Sequence, residues 1–334
     1  MNEILQSALG PASPQAAAIT RLWWLMFWVS TAVFLIVAGA LVFAVICGAR
    51  AARKRRNVSM REIEADSDTI LTGAVAAGAA TTVFILFVLL VASVRTGRAI
   101  GSSPSPGGPP SGATLPNAVS IDVTGHQFWW EVEYEDATPS RRVTTANEIH
   151  VPVGRPVVLK VTSRDVIHSF WVPNLQGKRD LVPGYTTAVW LQADRPAVYR
   201  GQCAEFCGRQ HAHMAFELVA EPGDQFERWL EAERQPAAEP VGDAESRGRD
   251  VLLNSRCVLC HTVRGTRAQA RVGPDLTHVA RRDKIAAGTL PNARGHLAGW
   301  VVNAQQIKPG SQMPPNILPA DDLQALIAYL ESLK

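Results

Sequence analysis

Two uncharged apolar stretches decide what the first hundred residues can be: LWWLMFWVSTAVFLIVAGALVFAVICGA from Leu22 to Ala49 and TILTGAVAAGAATTVFILFVLLVASV from Thr69 to Val94. Each exceeds the ~20 residues that a helix needs to cross a bilayer. Residues 1–100 are therefore expected to hold two transmembrane helices, at about 22–49 and 69–94. Between them lies RAARKRRNVSMR, and Lys and Arg in a short loop mark the cytoplasmic side. Both termini then face outward, with everything from about Gly101 onward in the periplasmic or equivalent space. A cleaved signal peptide fits the first stretch poorly, because it lacks a charged leading region and runs too long. AVIC before Gly48 resembles a lipoprotein cleavage site, but its arginines follow rather than precede, so Cys47 is expected to be an inert thiol in the membrane. Glu62, Glu64, Asp66 and Asp68 read as solvated loop charges.

The rest of the chain is long enough for further domains with cores of their own. A formal charge of +3 is too small to argue for a nucleic-acid partner, and the cations form no long run outside Arg50 to Arg61. GSSPSPGGPPSGATLPN, residues 101–117, reads as a linker. Residues 118–222 then show short alternating runs, VSIDV, FWWEVEY, PVVLKVTS, TTAVWLQ, AVYRG and AFELVA, the pattern of a sandwich or Greek-key barrel. In 223–242, DQFERWLEAERQ reads as a helix and QPAAEPVG as a second linker. Residues 243–334 form a small, mostly α domain, in which SRGRDVLLNSRC and DDLQALIAYLESLK have helical spacing and Asp321 is placed to cap the last helix.

Cys257, Cys260 and His261 form CxxCH, the spacing that lets two thiols bond to haem vinyl groups while the adjacent imidazole reaches the iron. A disulfide or half a zinc site is the plainer alternative, but no second CxxC or paired histidine cluster completes a zinc tetrahedron in this tail. An electron-transfer haem usually takes a second axial ligand, often methionine. Only Met313, in KPGSQMPP, follows Met214, and its prolines make a rigid loop rather than a packed helix face. His278 and His296 are rival ligands, each read as a surface or outer histidine. About Asp243 to Lys334 resembles a class I cytochrome c domain, with CVLCHT, GPDL at 273–276, the Met313 loop and the closing helix in order.

In CAEFCGRQHAHM, from Cys203 to Met214, thiolate, imidazole and thioether come together. Such soft donors select copper and suit electron transfer more than hydrolysis. Two close thiolates can bridge a pair of copper ions, each of which then needs a histidine. His211 supplies one, and His168 in DVIHSFWVP is the best candidate for the other. His126, His150 and His213 read as structural or outer residues. A simple disulfide would leave His211 and Met214 unexplained.

With GHQFWWEVEY, DVIHSFWVP, GKRDLVPG and YRGQCAEFCGRQHAHM, residues 1 to about 222 resemble subunit II of a haem-copper cytochrome c oxidase, whose β domain is cupredoxin-like. The resemblance implies a dinuclear CuA centre with Cys203 and Cys207 bridging and His168 and His211 terminal. It further implies Met214 as a weak axial ligand and Glu205 as a ligand through its carbonyl, the Glu205 carboxylate also holding a magnesium ion shared with the catalytic subunit. The whole chain is then similar to the bacterial form with a fused cytochrome c. The family commonly reads GHQWYW where this chain has GHQFWW, so Phe128 stands at the tryptophan associated with electron input, and Trp129 or Trp130 is the substitute.

The resemblance implies a chain in the bacterial cytoplasmic membrane that takes electrons from cytochrome c or another donor through haem c to copper. Its partners are then membrane lipid, a catalytic subunit I that reduces oxygen to water, and further membrane subunits. The two apolar helices contain no histidine, so no oxygen-reducing site is expected on this chain. A CuA-bearing nitric oxide reductase subunit is the nearest alternative, and a membrane-anchored copper chaperone the alternative from another class. A chaperone has no need of CVLCH, and a quinol oxidase subunit would lack these ligands. Residues 118–240 hold 12 Lys and Arg against 17 Asp and Glu, whereas 243–334 hold 12 against 8. Opposite signs predict that the tail visits the β domain on its tether.

Overall fold

The computed structural model describes residues 4–54, 64–101 and 117–334. Glu62 and all but the ends of the expected linker 101–117 lie outside the described residues. The described chain divides into two compact units, residues 17–102 and the remainder.

The first unit consists of two helices, α1 (Pro14–Lys54), whose first turn belongs to the other unit, and α2 (Glu64–Gly101). Both are longer than their apolar runs. The Ser13 hydroxyl accepts from the Ala16 amide at 2.9 Å with Pro14 at the first helical position, which starts α1 early. Glu64, Asp66 and Asp68, expected in a loop, instead lie in the first two turns of α2. Outward residues such as Phe34 and Ile36 are 69% and 70% exposed, and both helices are long and apolar enough to cross a membrane.

The second unit is built on two sheets. Its strands are β1 (Ile4–Leu5), β2 (Val119–His126), β3 (Trp129–Tyr134), β4 (Val143–Ala146), β5 (Glu148–Pro152), β6 (Val157–Ser163), β7 (His168–Trp171), β8 (Arg179–Leu181), β9 (Thr187–Leu191), β10 (Ala197–Cys203) and β11 (Ala215–Glu221). One sheet runs β4-β3-β2-β6-β9; the other runs β5-β11-β10-β7-β8, with β1 parallel to the start of β10. Inward side chains alternate along each strand, as the pleat requires. On β3 they are Trp130, Val132 and Tyr134, and on β10 they are Tyr199 and Cys203. Trp130 centres the core, edge-on to Phe170 and Phe216 at ring distances of 6.0 and 5.3 Å. The sequence pattern shows six of these strands. It misses β1, β4, β5, β7 and β8, which except for β5 have four residues or fewer and so carry little periodic signal. Helix α3 (Gly223–Glu233) belongs to this domain, since Phe226 and Leu230 enter its core.

The tail has a separate core beneath α4 (Asp243–Asn254), α5 (Arg294–Ile307) and α6 (Ala320–Ser332), centred on Leu252, Val263, Leu326, Ile327 and Tyr329, with a short ribbon, β12 (Lys284–Ile285) and β13 (Leu290–Pro291). Asp321 does not cap α6. Pro319 takes the cap position without a side-chain bond, and Asp321 sits in the first turn, where its charge meets the helix dipole.

The tail is also docked rather than merely visiting. Arg271 reaches Glu131 and Glu133, both at 2.7 Å, and Lys284 reaches Glu217 at 2.6 Å, as the opposite net charges predict. Backbone and buried polar groups join them: Ala215 N donates to Ala287 O at 3.1 Å and Gln210 Nε2 to Pro309 O at 2.9 Å. Groups of this kind lose water on docking and need their partners to offset it, so the contact has a fixed geometry.

Candidate functional site

The thiol site forms where β7 and β10 end side by side. Pairing of Cys203 with Phe170 sets the register, and His168, the first residue of β7, lies two positions from Phe170. Cys203 Sγ stands 3.8 Å from His168 Nδ1 and 3.1 Å from the Glu205 carbonyl oxygen. Cys207 Sγ stands 3.7 Å from His211 Nδ1 and 3.8 Å from Met214 Sδ. The donor atoms of His168, Cys203 and Cys207 lie within 4.8 Å of one another, all three residues are buried, and both cysteines are free thiols rather than a disulfide. The six residues expected as copper ligands are thus brought together. Two sulfurs, two imidazoles, a thioether and a carbonyl, with no carboxylate oxygen nearest, form a donor set that fits copper.

Neighbouring residues hold this arrangement. Asp165 Oδ1 accepts from His168 Nε2 at 2.8 Å, leaving Nδ1 to face the sulfurs. Burial alone would raise the Asp165 carboxyl, but bonds from His168 and from the Gln127 and Val166 amides hold it below the ordinary range. Burial would lower His168, and Asp165 with Cys203 raises it instead. The two thiols act as a pair: the hydrogen bond from Cys207 pulls Cys203 below its ordinary value and holds the proton on Cys207. Gly125 makes room for the imidazole, since a Cβ there would lie 2.8 Å from His168 Cδ2. Gln127 Nε2 donates to the Cys207 carbonyl at 2.6 Å and fixes the loop from its other side.

In the tail, Cys257, Cys260, His261 and Met313 all line one deep cavity. A short 3-10 turn, Arg256–Leu259, presents the cysteines, which are free thiols, and His261 N donates to Cys257 O at 3.0 Å. His261 Nδ1 donates to Pro274 O at 2.7 Å, which fixes the tautomer and leaves Nε2 as the free lone pair. Burial lowers the His261 pKa, which favours the neutral, ligating form. Gly273 lies under this ring, where a Cβ would come 2.8 Å from Cε1. Met313 is carried on the loop after α5 by Gln305, whose Nε2 donates to its carbonyl at 2.8 Å. Paired thiols, a neutral imidazole and a thioether around an apolar cavity fit a covalently held haem.

Histidines read as structural are found in such places. His278 bonds Gln235 O at 3.0 Å and His296 bonds Pro291 O at 3.2 Å, and neither lines the cavity. His126 stacks on Trp129 at 4.3 Å, His150 is held between Glu148 and Glu221, each at 2.8 Å, and His213 bonds Gln210 at 2.9 Å. The two candidate aromatics separate: Trp130 is in the β core, 6.1 Å from the His168 ring, while Trp129 lines the haem cavity together with Phe128. The Glu205 carboxylate is partly exposed and 3.5 Å from Lys178 Nζ. Sequence reading missed Asp165, Gln127 and Lys308, which also line or support the two sites. Asp165 had a signal, three residues before His168; Lys308 had none, because lysine is ordinarily exposed.

Comparison with known proteins identifies two matching domain families. A family model for the cytochrome c oxidase subunit II periplasmic domain matches residues 137–221, and one for cytochrome c matches 245–334. Cytochrome c oxidase subunit 2 of Alkalihalophilus pseudofirmus is 41% identical over 252 residues, 75% of this chain and 70% of that one. The corresponding subunit of Bacillus sp. (strain PS3) is 33% identical over 229 residues, 65% of this chain and 63% of that one. Among solved structures, the periplasmic domain of subunit II of cytochrome oxidase of Bradyrhizobium japonicum is 29% identical, with a TM-score of 0.33, over 35% of this chain and 93% of that one. Soft donors gathered on a cupredoxin-like domain, a CxxCH cavity behind them and a relative this similar over most of both chains place the protein in the cytochrome c oxidase subunit II family.

Proposed function

We propose that this chain is the electron-input subunit of a haem-copper oxidase. On this reading α1 and α2 anchor it in a bacterial cytoplasmic membrane, with the β and haem domains on the periplasmic or outer side. Haem c and a dinuclear CuA centre, when bound, supply the one-electron carriers between a donor, cytochrome c or another, and a catalytic subunit that reduces oxygen to water. The observation that carries the reading is the cavity that joins Cys257, Cys260, His261 and Met313 on one wall to Phe128 and Trp129 of the copper-binding domain on another.

The chain's own residues then have separate tasks. Cys257 and Cys260 would anchor the haem, and His261 and Met313 would hold its iron. Cys203, Cys207, His168 and His211, with Met214 and the Glu205 carbonyl, would hold the copper pair. Asp165 and Pro274 orient the two inner imidazoles. Trp129, on the cavity wall, is the better candidate for electron input; Trp130 packs the core behind His168. The Glu205 carboxylate serves a magnesium ion only where the catalytic subunit adds ligands, since in this chain its neighbour is the Lys178 cation.

Metal analysis and visible spectra of the purified full chain test the reading. Two coppers with near-infrared absorption and one covalent haem support it. A single exchangeable copper and no haem overturn it in favour of metal delivery. Oxygen against nitric oxide consumption by the intact complex then identifies the acceptor.

A further inference from the structure

Lys308 has no task in that scheme, yet it is among the most buried side chains of the molecule, 2% exposed. It closes α5 in the haem domain, and its Nζ donates to Phe128 O across the domain boundary at 2.9 Å and to Ala286 O at 3.0 Å. No carboxylate pairs with it among the described residues. Burial draws its pKa down to about 7, against the opposing influence of Cys207. Its two bonds offset part of that cost and hold the side chain in one geometry.

What it fixes lies on both flanks of the copper loop. Phe128 follows Gln127, which holds the Cys207 carbonyl. Ala286 begins a turn with positive φ at Ala286, Ala287 and Gly288, and Ala287 O accepts from the amide of Ala215, the residue after Met214. Lys308 also lines the haem cavity, as do Gln127, Phe128 and Ala287. One ammonium therefore ties the strand turn before the copper site, the chain after it and the haem cavity into a single frame.

We propose that Lys308 is a positioning residue that locks the haem domain on the copper loop, so that electrons cross within one docked geometry and not by repeated encounters on a tether. The inference rests on the functional reading above. The step it serves moves one electron from ferrous haem to the oxidised copper pair, with no bond made and no proton required, after an external one-electron donor protein has reduced the haem.

Two measurements on the full-length protein, wild type and Lys308→Met, test it. In copper-free protein, hydrogen exchange at the Ala215 amide is expected to be slow in the wild type and roughly tenfold or more faster in the variant, as a broken local lock implies. In loaded protein, flash reduction of the haem is expected to show copper reduction insensitive to viscosity in the wild type. In the variant it should be roughly ten- to hundredfold slower and viscosity-dependent, the scale that loss of positioning produces. Wild-type protection of Ala215 with a wild-type rate in the variant overturns the proposal. If Lys308→Met does not accumulate, Lys308→Gln, too short to reach both carbonyls, is measured in its place, and the same outcome overturns it. Absence of haem or copper from the wild-type protein would instead sink the functional reading.

Discussion

At the residue scale the side chains proposed to hold copper and haem depend on neighbours outside the proposed ligand sets. Asp165 holds His168 through one carboxylate oxygen while its other accepts from the Gln127 amide. Asp165→Asn keeps the shape but weakens the acceptor and allows the wrong tautomer, so copper affinity should fall roughly 10–100-fold, measured by competition with a chelator. On the haem side, Gly273→Ala pushes a methyl into the His261 ring. The expected result is a haem still joined through Cys257 and Cys260 whose axial field is disturbed, read as a shifted Soret band and a lowered reduction potential with unchanged covalent attachment. Most of the proposed ligands were legible because CAEFCGRQHAHM and CVLCH are local, whereas His168 and Met313 had to be chosen from distant segments. Asp165 and Gly273 stood in the quoted motifs, but what they do depends on ring positions that only the fold defines.

At the scale of elements, β5, β11 and α3 are joined by a buried imidazole. His150 bonds Glu148 and Glu221 and lies flat on Trp229 at 4.0 Å. Burial would lower its pKa, but the two glutamates raise it from 6.5 to about 9. The folded state therefore binds the proton more tightly than the unfolded chain. This contribution to stability is fully present below about pH 6.5 and is lost as pH rises through about 9. Thermal unfolding midpoints between pH 6 and 10 should fall with rising pH, and His150→Gln should flatten that part of the profile. β5 itself was not foreseen, for EIHVP lacks the alternation that marks its neighbours: four of its five residues are buried. A strand buried on both faces reads like any short apolar run until its partner β11 is known.

At the scale of the whole molecule, opposite charges predicted association of the two outer domains, and only the structure shows how much of it is uncharged. Arg271 is 60% exposed, so its pairs with Glu131 and Glu133 contribute about 0–1 kcal/mol and weaken with salt. The Ala215 to Ala287 bond and the buried Lys308 are not reached by counterions. Raising the salt to about 1 M, where screening acts over ~3 Å, should therefore leave the domains docked, with unchanged protection of Ala215 in hydrogen exchange. Net charge could be counted from the sequence, but the interface could not be read, because it joins residues such as Phe128 and Lys308 that lie far apart in the chain.

The short parallel pairing of Ile4–Leu5 with Val198–Tyr199 gives the copper-bearing strand a neighbour drawn from ahead of α1. During synthesis that neighbour is made first and must wait, across both apolar helices and most of the β domain, for its partner to emerge. The backbone groups of Ile4 and Leu5 lack these partners in the interval. Completion of this sheet consequently belongs late in synthesis, after the two ends of this long excursion have met.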